Sequence, residues 1–166
     1  MQREQAIADS LAKVKADSLA KVKADSIAQA EAEQEQQRLE QQRLEMQRQQ
    51  EQERQAKASM STVYFDFDKS ELKAATRDSL QKNAELIRKY DQWQVVIEGH
   101  CDERGSTEYN LALGERRANA VKEYYVNYGI NADRLEIISY GEERPVDPGH
   151  NEAAWAKNRR AVTLIK

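Results

Sequence analysis

Between residues 60 and 166 the spacing of apolar positions changes several times, and each change marks an element. Val63, Phe65 and Phe67 alternate with Tyr64 and Asp66, which predicts a strand over 63–67. The spacing then turns helical over 70–90, with Leu72, Leu80 and Ile87 toward a core. The run Val95-Val96-Ile97 predicts a second strand over 94–99, and after a polar loop bracketed by Gly99 and Gly105 a helix is predicted over 110–127. Gly129 can adopt the left-handed conformation that ends it. A strand over 134–140, a loop over 141–150 holding Pro145 and Pro148, a short helix over 151–157 and a strand over 160–165 complete the pattern. Two strand-helix-strand crossovers imply parallel pairings. The expected fold class is therefore α/β, an α+β sandwich with a four-stranded mixed sheet and helices on one side.

Residues 1–59 follow a different rule. Three octads begin at Ala8, Ala16 and Ala24, and two QQRLE pentads begin at Gln36 and Gln41. Helix propensity is high, but an eight-residue period turns a helix by roughly 80° per repeat. Leu11, Leu19 and Ile27 thus walk around the helix instead of forming one seam. Leu39, Leu44 and Met46 are the only large apolar residues between Ala32 and Ser59, so little is available to bury. The segment reads as a long helical or disordered spacer, spanning about 90 Å if fully helical at ~1.5 Å per residue.

Composition sharpens this division. Residues 1–59 hold no Gly, Pro, Phe, Tyr or Trp, while all eleven aromatics lie beyond them, which places a domain boundary near Ser59. About a hundred residues suffice for one core, so the chain reads as one globular domain, 60–166, and one appendage. The net charge of −3 is spread evenly, leaving no basic field for nucleic acid. No apolar run reaches ~18 residues and no signal-peptide core is present. One cysteine, Cys101, cannot form an internal disulfide.

The candidate chemistry gathers around the loop after the second strand. Asp102 falls at the strand's carboxyl end, and Arg117, about two turns into the following helix, can reach back toward the helix start. Asn110, Leu113 and Arg117 share one helix face, free to bind, while Leu111, Gly114, Ala118, Val121 and Tyr125 form a neighbouring face that packs. A carboxylate accepts from an ammonium, and a guanidinium grips a carboxylate through two parallel hydrogen bonds. Such a site suits a ligand carrying both charges. Asp102→Ala or Arg117→Ala is expected to weaken binding and leave the fold intact.

The stretches GHCDERGSTEYNLALGERRANAV, SYGEERP and NEAAWAKNRRAV resemble an OmpA-like domain, most closely its peptidoglycan-associated lipoprotein branch, over about two thirds of the chain. The resemblance implies non-covalent binding of peptidoglycan through the diaminopimelate of its stem peptide. Asp102 would hold the ammonium and Arg117 the carboxylate, with Phe67, Asp68, Arg104 and Leu113 lining the pocket and Arg159 near it. It also implies a periplasmic, outer-membrane-associated protein whose partners are the peptidoglycan stem peptide, the propeller protein TolB and other Tol proteins. No cofactor is implied. Lipoproteins of that branch are acylated on an N-terminal cysteine; this sequence begins with Met1 and holds only Cys101, so the expectation is an anchor either removed or never present. Cys101 departs from the usual threonine or alanine without altering the charges.

Plainer roles stand beside these. Asp68 and Glu71 have the spacing of a capping box, and Asn110 can cap the helix or contact ligand. Phe67 can be core, and Glu115 and Arg116 can face solvent. Arg159 and Arg160 open a strand and point to opposite faces, one of them bracing the pocket loop. His100, Cys101, Asp102 and Glu103 look superficially catalytic, but adjacent strand residues point apart, and His150 is a weak metal partner fifty residues away. The reading is a binding module and not an enzyme, with a wall-gripping domain of porin or flagellar-stator type, or a protein-interaction module, as the alternative.

Overall fold

The computed structural model describes residues 2–166. They fall into two units, divided between residues 52 and 53. The first is the greater part of helix α1, Gln2–Ala58, on which Ile7, Leu11, Val14, Leu19, Val22 and Ile27 are all more than half exposed. That is the outcome of an eight-residue period that never builds a seam. Local pairs such as Arg38–Glu35 lie on its surface, where each adds only a few tenths of a kcal/mol. No helix among the described residues is long and apolar enough to cross a membrane.

The second unit carries strands β1 (Val63–Tyr64), β2 (Val95–His100), β3 (Leu135–Gly141) and β4 (Arg160–Ile165), with helices α2 (Ala74–Lys89), α3 (Thr107–Tyr128) and α4 (Glu152–Asn158). Spatial order is β1-β4-β2-β3. Of the two expected parallel pairings only β2 with β3 forms. β1 and β2 do run in the same direction, but β4 lies between them and pairs antiparallel with both. α2 and α3 pack over Val63, Val95, Ile97 and Ala161, burying Leu80, Ile87, Val121 and Tyr125. Inside that core Tyr125 Oη lies 2.8 Å from Thr163 Oγ1 and accepts from Asn83 Nδ2 at 3.1 Å, so its polar end is satisfied.

Three local differences from the sequence expectation have physical causes. β1 stops at Tyr64, with one further bond from Phe65 N to Arg159 O, because the chain turns out of the sheet toward Asp68, whose φ of +54° is left-handed. α2 starts at Ala74 behind Lys73 with no side-chain cap, so the Asp68–Glu71 capping box does not form. α3 starts three residues earlier than expected, capped by Ser106, which accepts from Tyr109 N at 3.2 Å. Asn110 is therefore not the cap. Gly129 ends α3 at φ 106°, as its position suggested.

The approach of α3 to β2 is set by a pair of glycines. A Cβ on Gly99 would lie 1.8 Å from the Gly114 carbonyl oxygen. Gly99→Ala must push helix from strand, and a loss of about 2 to 3 kcal/mol is expected in urea denaturation; an unchanged midpoint would refute that packing.

On the other face of β2, His100 is buried and stacks on Tyr140 with ring centroids 5.5 Å apart, and neither ring nitrogen has a hydrogen-bond partner among the described residues. Burial, with Arg160 and Arg144 adding to it, pulls its pKa from 6.5 to about 4. The unfolded chain takes up a proton that the folded chain refuses, so stability falls as pH drops from 6.5 to about 4. His100→Phe should flatten that part of the stability-against-pH curve; an identical slope in both proteins would contradict the assignment.

Candidate functional site

The pairing of β2 with β3 shifts register between Gly99 and His100, and Cys101 N then donates to Gly141 O at 2.7 Å. This bulge turns the chain off the sheet into the loop 101–106, which runs to the start of α3. Asn110, one turn into α3, fastens the loop from below. Its Nδ2 donates to Asp102 O, Arg104 O and Glu142 Oε2 at 3.3, 3.1 and 2.6 Å. A cavity of about 190 Å³ opens between this loop, α3 and the 67–68 turn.

Seven of the eight sequence candidates line it, namely Phe67, Asp68, Asp102, Arg104, Asn110, Leu113 and Arg117, together with Cys101, Gly105 and Tyr109. Arg159, the eighth, stands behind Asp102 and not in the wall. Two lining side chains were not among the candidates: Cys101, read only as a departure from the family pattern, and Tyr109, which sequence reasoning missed. Its signal was present, since Tyr109, Leu113 and Arg117 are spaced by four. The Tyr109 hydroxyl donates to Asp68 Oδ1, which explains where the supposed cap has gone.

Arg117 differs most from expectation. It is 0 % exposed, so the face meant to be free for binding also packs. Nε donates to Lys69 O at 2.8 Å, Nη1 to His100 O at 2.8 Å and Nη2 to Asp66 O at 3.1 Å. One guanidinium thus ties the loop after β1 to the end of β2. A guanidinium has five N–H donors, so Nη1 and Nη2 each keep one beyond these bonds.

Asp102 is 4 % exposed and its carboxylate is already occupied. Oδ1 accepts from Arg104 N and Nε, both at 3.1 Å, and Oδ2 from Arg104 Nη2 at 2.8 Å and Arg159 Nη1 at 3.3 Å. Burial alone would raise its pKa, but the Arg104 and Arg159 bonds outweigh it and hold the carboxyl below the usual carboxylate range. Arg159 is itself buried, with Nε on Phe65 O and Nη2 on Glu152 Oε1. Arg160 points elsewhere, toward Asn158 O and Arg144 O, so Arg159 is the one that braces the pocket. Burial pushes the Cys101 thiol up to about 11, and it donates to Asn110 O at 3.2 Å, leaving it inert. His150 pairs with Glu103 at 2.7 Å and not with His100.

The site is thus a small cavity walled by Asp68 and Asp102 on one account and Arg104 and Arg117 on the other, with Leu113 and Phe67 as apolar surface. Such a wall carries both charges side by side, the complement of a ligand with one amino and one carboxylate group.

Similarity to known proteins agrees with this architecture. The peptidoglycan-associated lipoprotein of Pseudomonas aeruginosa is 50% identical over 105 residues, covering 63% of this chain and 62% of its own. That of Brucella melitensis is 45% identical over 103 residues, covering 62% and 61%. The chain therefore spans a little over 60% of the length of these curated relatives. The crystal structure of the peptidoglycan-associated lipoprotein from Burkholderia pseudomallei superposes with a TM-score of 0.62 at 42% identity, over 63% of this chain and 89% of that one. The C-terminal domain of Helicobacter pylori MotB shares the fold alone, with a TM-score of 0.60 at 20% identity over 64% and 84%. Residues 64–159 match the OmpA family, more than half of the chain, and the chain belongs to that family.

Proposed function

We propose that the domain is a binding module, not an enzyme, that holds peptidoglycan without a covalent bond through the diaminopimelate end of the stem peptide. The observation that carries this reading is the cavity in which buried Asp102 and buried Arg117 lie within one wall. An ammonium would bind at Asp102, assisted by Asp68, and the adjoining carboxylate at the two remaining N–H groups of Arg117. Each charge-assisted bond contributes roughly 1.5 to 3 kcal/mol net, less where water screens it. Modest affinity per site suits a polymer that repeats its sites.

Family membership and relatives named peptidoglycan-associated lipoprotein support the ligand class and a place in the periplasm against the outer membrane. In this reading the polar helix before the domain is a spacer between membrane and wall, and the partners beyond the stem peptide are TolB and other Tol proteins. Calorimetry with a diaminopimelate stem peptide and a lysine-containing control tests the ligand. Selective binding is expected, and binding to neither would turn the surface toward a protein partner. Retention of TolB on the immobilised domain tests the Tol assignment.

A further inference from the structure

At the mouth of the cavity the Arg104 guanidinium lies between two aromatic rings, its central carbon 3.9 Å from the Phe67 centroid and 4.2 Å from that of Trp155. Trp155 is held in turn by donating Nε1 to Glu103 Oε1 at 2.9 Å. The same guanidinium places Nε and Nη2 on the two oxygens of Asp102. A carboxylate offers about four acceptor positions, and on Asp102 two are filled by this side chain, one by the Arg104 backbone and one by Arg159. The Asp102 carboxylate has no position left for an incoming ammonium.

We propose that Arg104 is a built-in competitor for the ligand's ammonium at Asp102, and that Trp155 is the positioning residue that sets how firmly it competes. The inference rests on the wall-binding reading and adds the order of events. Arg104 and Arg159 differ in how readily they leave: the Arg159 side chain is buried and bonded to Phe65 O and, at 2.7 Å, to Glu152, whereas the Arg104 side chain is about a third exposed and stands 3.8 Å from Glu152. Displacement therefore falls on Arg104, which vacates one position on each Asp102 oxygen, on the cavity side. A ligand without a cation has nothing to offer those oxygens and leaves the pair closed. Selectivity for an ammonium then follows from the protein's own ion pair as well as from the ligand contacts. A site whose open form is a minor population binds more weakly by that fraction, so loosening Arg104 strengthens binding.

Two charge-preserving variants test this. Trp155→Ala removes one face of the stack, and Arg104→Lys loses the planar fork and the stacking while keeping the charge. Each should bind the diaminopimelate stem peptide about two- to tenfold more tightly than the parent in calorimetry. Trp155→Phe, which restores an aromatic face, should return affinity toward the parent value. A merely structural tryptophan would give the opposite sign. With 5-fluorotryptophan incorporated, the fluorine resonance missing from Trp155→Phe identifies Trp155, and it should shift on peptide addition and in Arg104→Lys without peptide. Weaker or unchanged binding in both variants, with the parent still binding, overturns the competitor and leaves the wall-binding reading standing. If neither the parent nor Arg104→Lys binds, both fall. Binding by Arg104→Lys alone supports the competitor directly.

Discussion

Arg117→Met will destabilise the domain by about 3 to 5 kcal/mol, large against the total stability of a domain this size. The sequence alone suggested that a substitution here would spare the fold. The structure reverses that expectation, because the guanidinium is the partner of three backbone carbonyls, those of Asp66, Lys69 and His100. A methionine fills much of the volume and satisfies none of them, and a buried acceptor left unpaired costs about 1 to 3 kcal/mol. Urea denaturation followed by circular dichroism measures the loss. A midpoint within error of the parent would mean that water replaces the guanidinium at no cost. Binding by Arg117 variants is interpretable only after this correction, and Arg117→Lys, which keeps the charge, should retain more stability than the methionine.

Asp102→Asn is expected to weaken stem-peptide binding by about 2 to 5 kcal/mol if the ligand's ammonium stays desolvated. It will also cost stability, again contrary to the sequence expectation for this position. Breaking the pair leaves the buried Arg159 guanidinium with Glu152 and Phe65 O but without its second carboxylate. About 2 to 3 kcal/mol is expected, discounted because the Arg104 half of the cluster is partly solvated. The carboxyl's folded pKa is depressed below its ordinary 3.8. Its contribution is therefore complete above the ordinary value and is lost as pH falls through the lower folded one. The parent should show this acid loss and Asp102→Asn should not; coincident acid limbs would remove Asp102 from the account of stability.

What the sequence made legible was whatever depends on short spacing. The strand Arg160–Ile165 and the stop at Gly129 follow from alternation and from one residue's backbone freedom. The opposite facing of Arg159 and Arg160 was equally plain from alternation. The start of α3 was misread by three residues within its own local signal, but the other misread features depend on partners far along the chain. Asp68 matched a capping box by local spacing, yet its carboxylate is taken by Tyr109, 41 positions away. Arg117 reaches Lys69 and Asp66 across 48 and 51 positions. The missing parallel pair has the same origin, since β4, last in sequence, inserts between β1 and β2. Seven of the eight candidates do gather around one cavity, but whether a charged group there was free or already bonded could not be read from charge type alone.

The bonds from Arg117 and Arg159 to the 65–69 segment have a mechanical meaning if the domain anchors a membrane to the wall. Tension transmitted through the chain before Met60 would first meet Ser61, bonded to Asn83, and β1, paired with β4, and would reach this segment next. Phe65 O is held by Arg159, and Asp66 O and Lys69 O by Arg117. From those two guanidiniums to the cavity is a single step, so the line of force from tether to ligand runs through the short edge strand β1 and one loop. Such an anchor would let go of its ligand when the two-residue edge strand β1 peels from β4, and re-docking of that strand on the remaining sheet would restore the grip on the next repeat of the polymer.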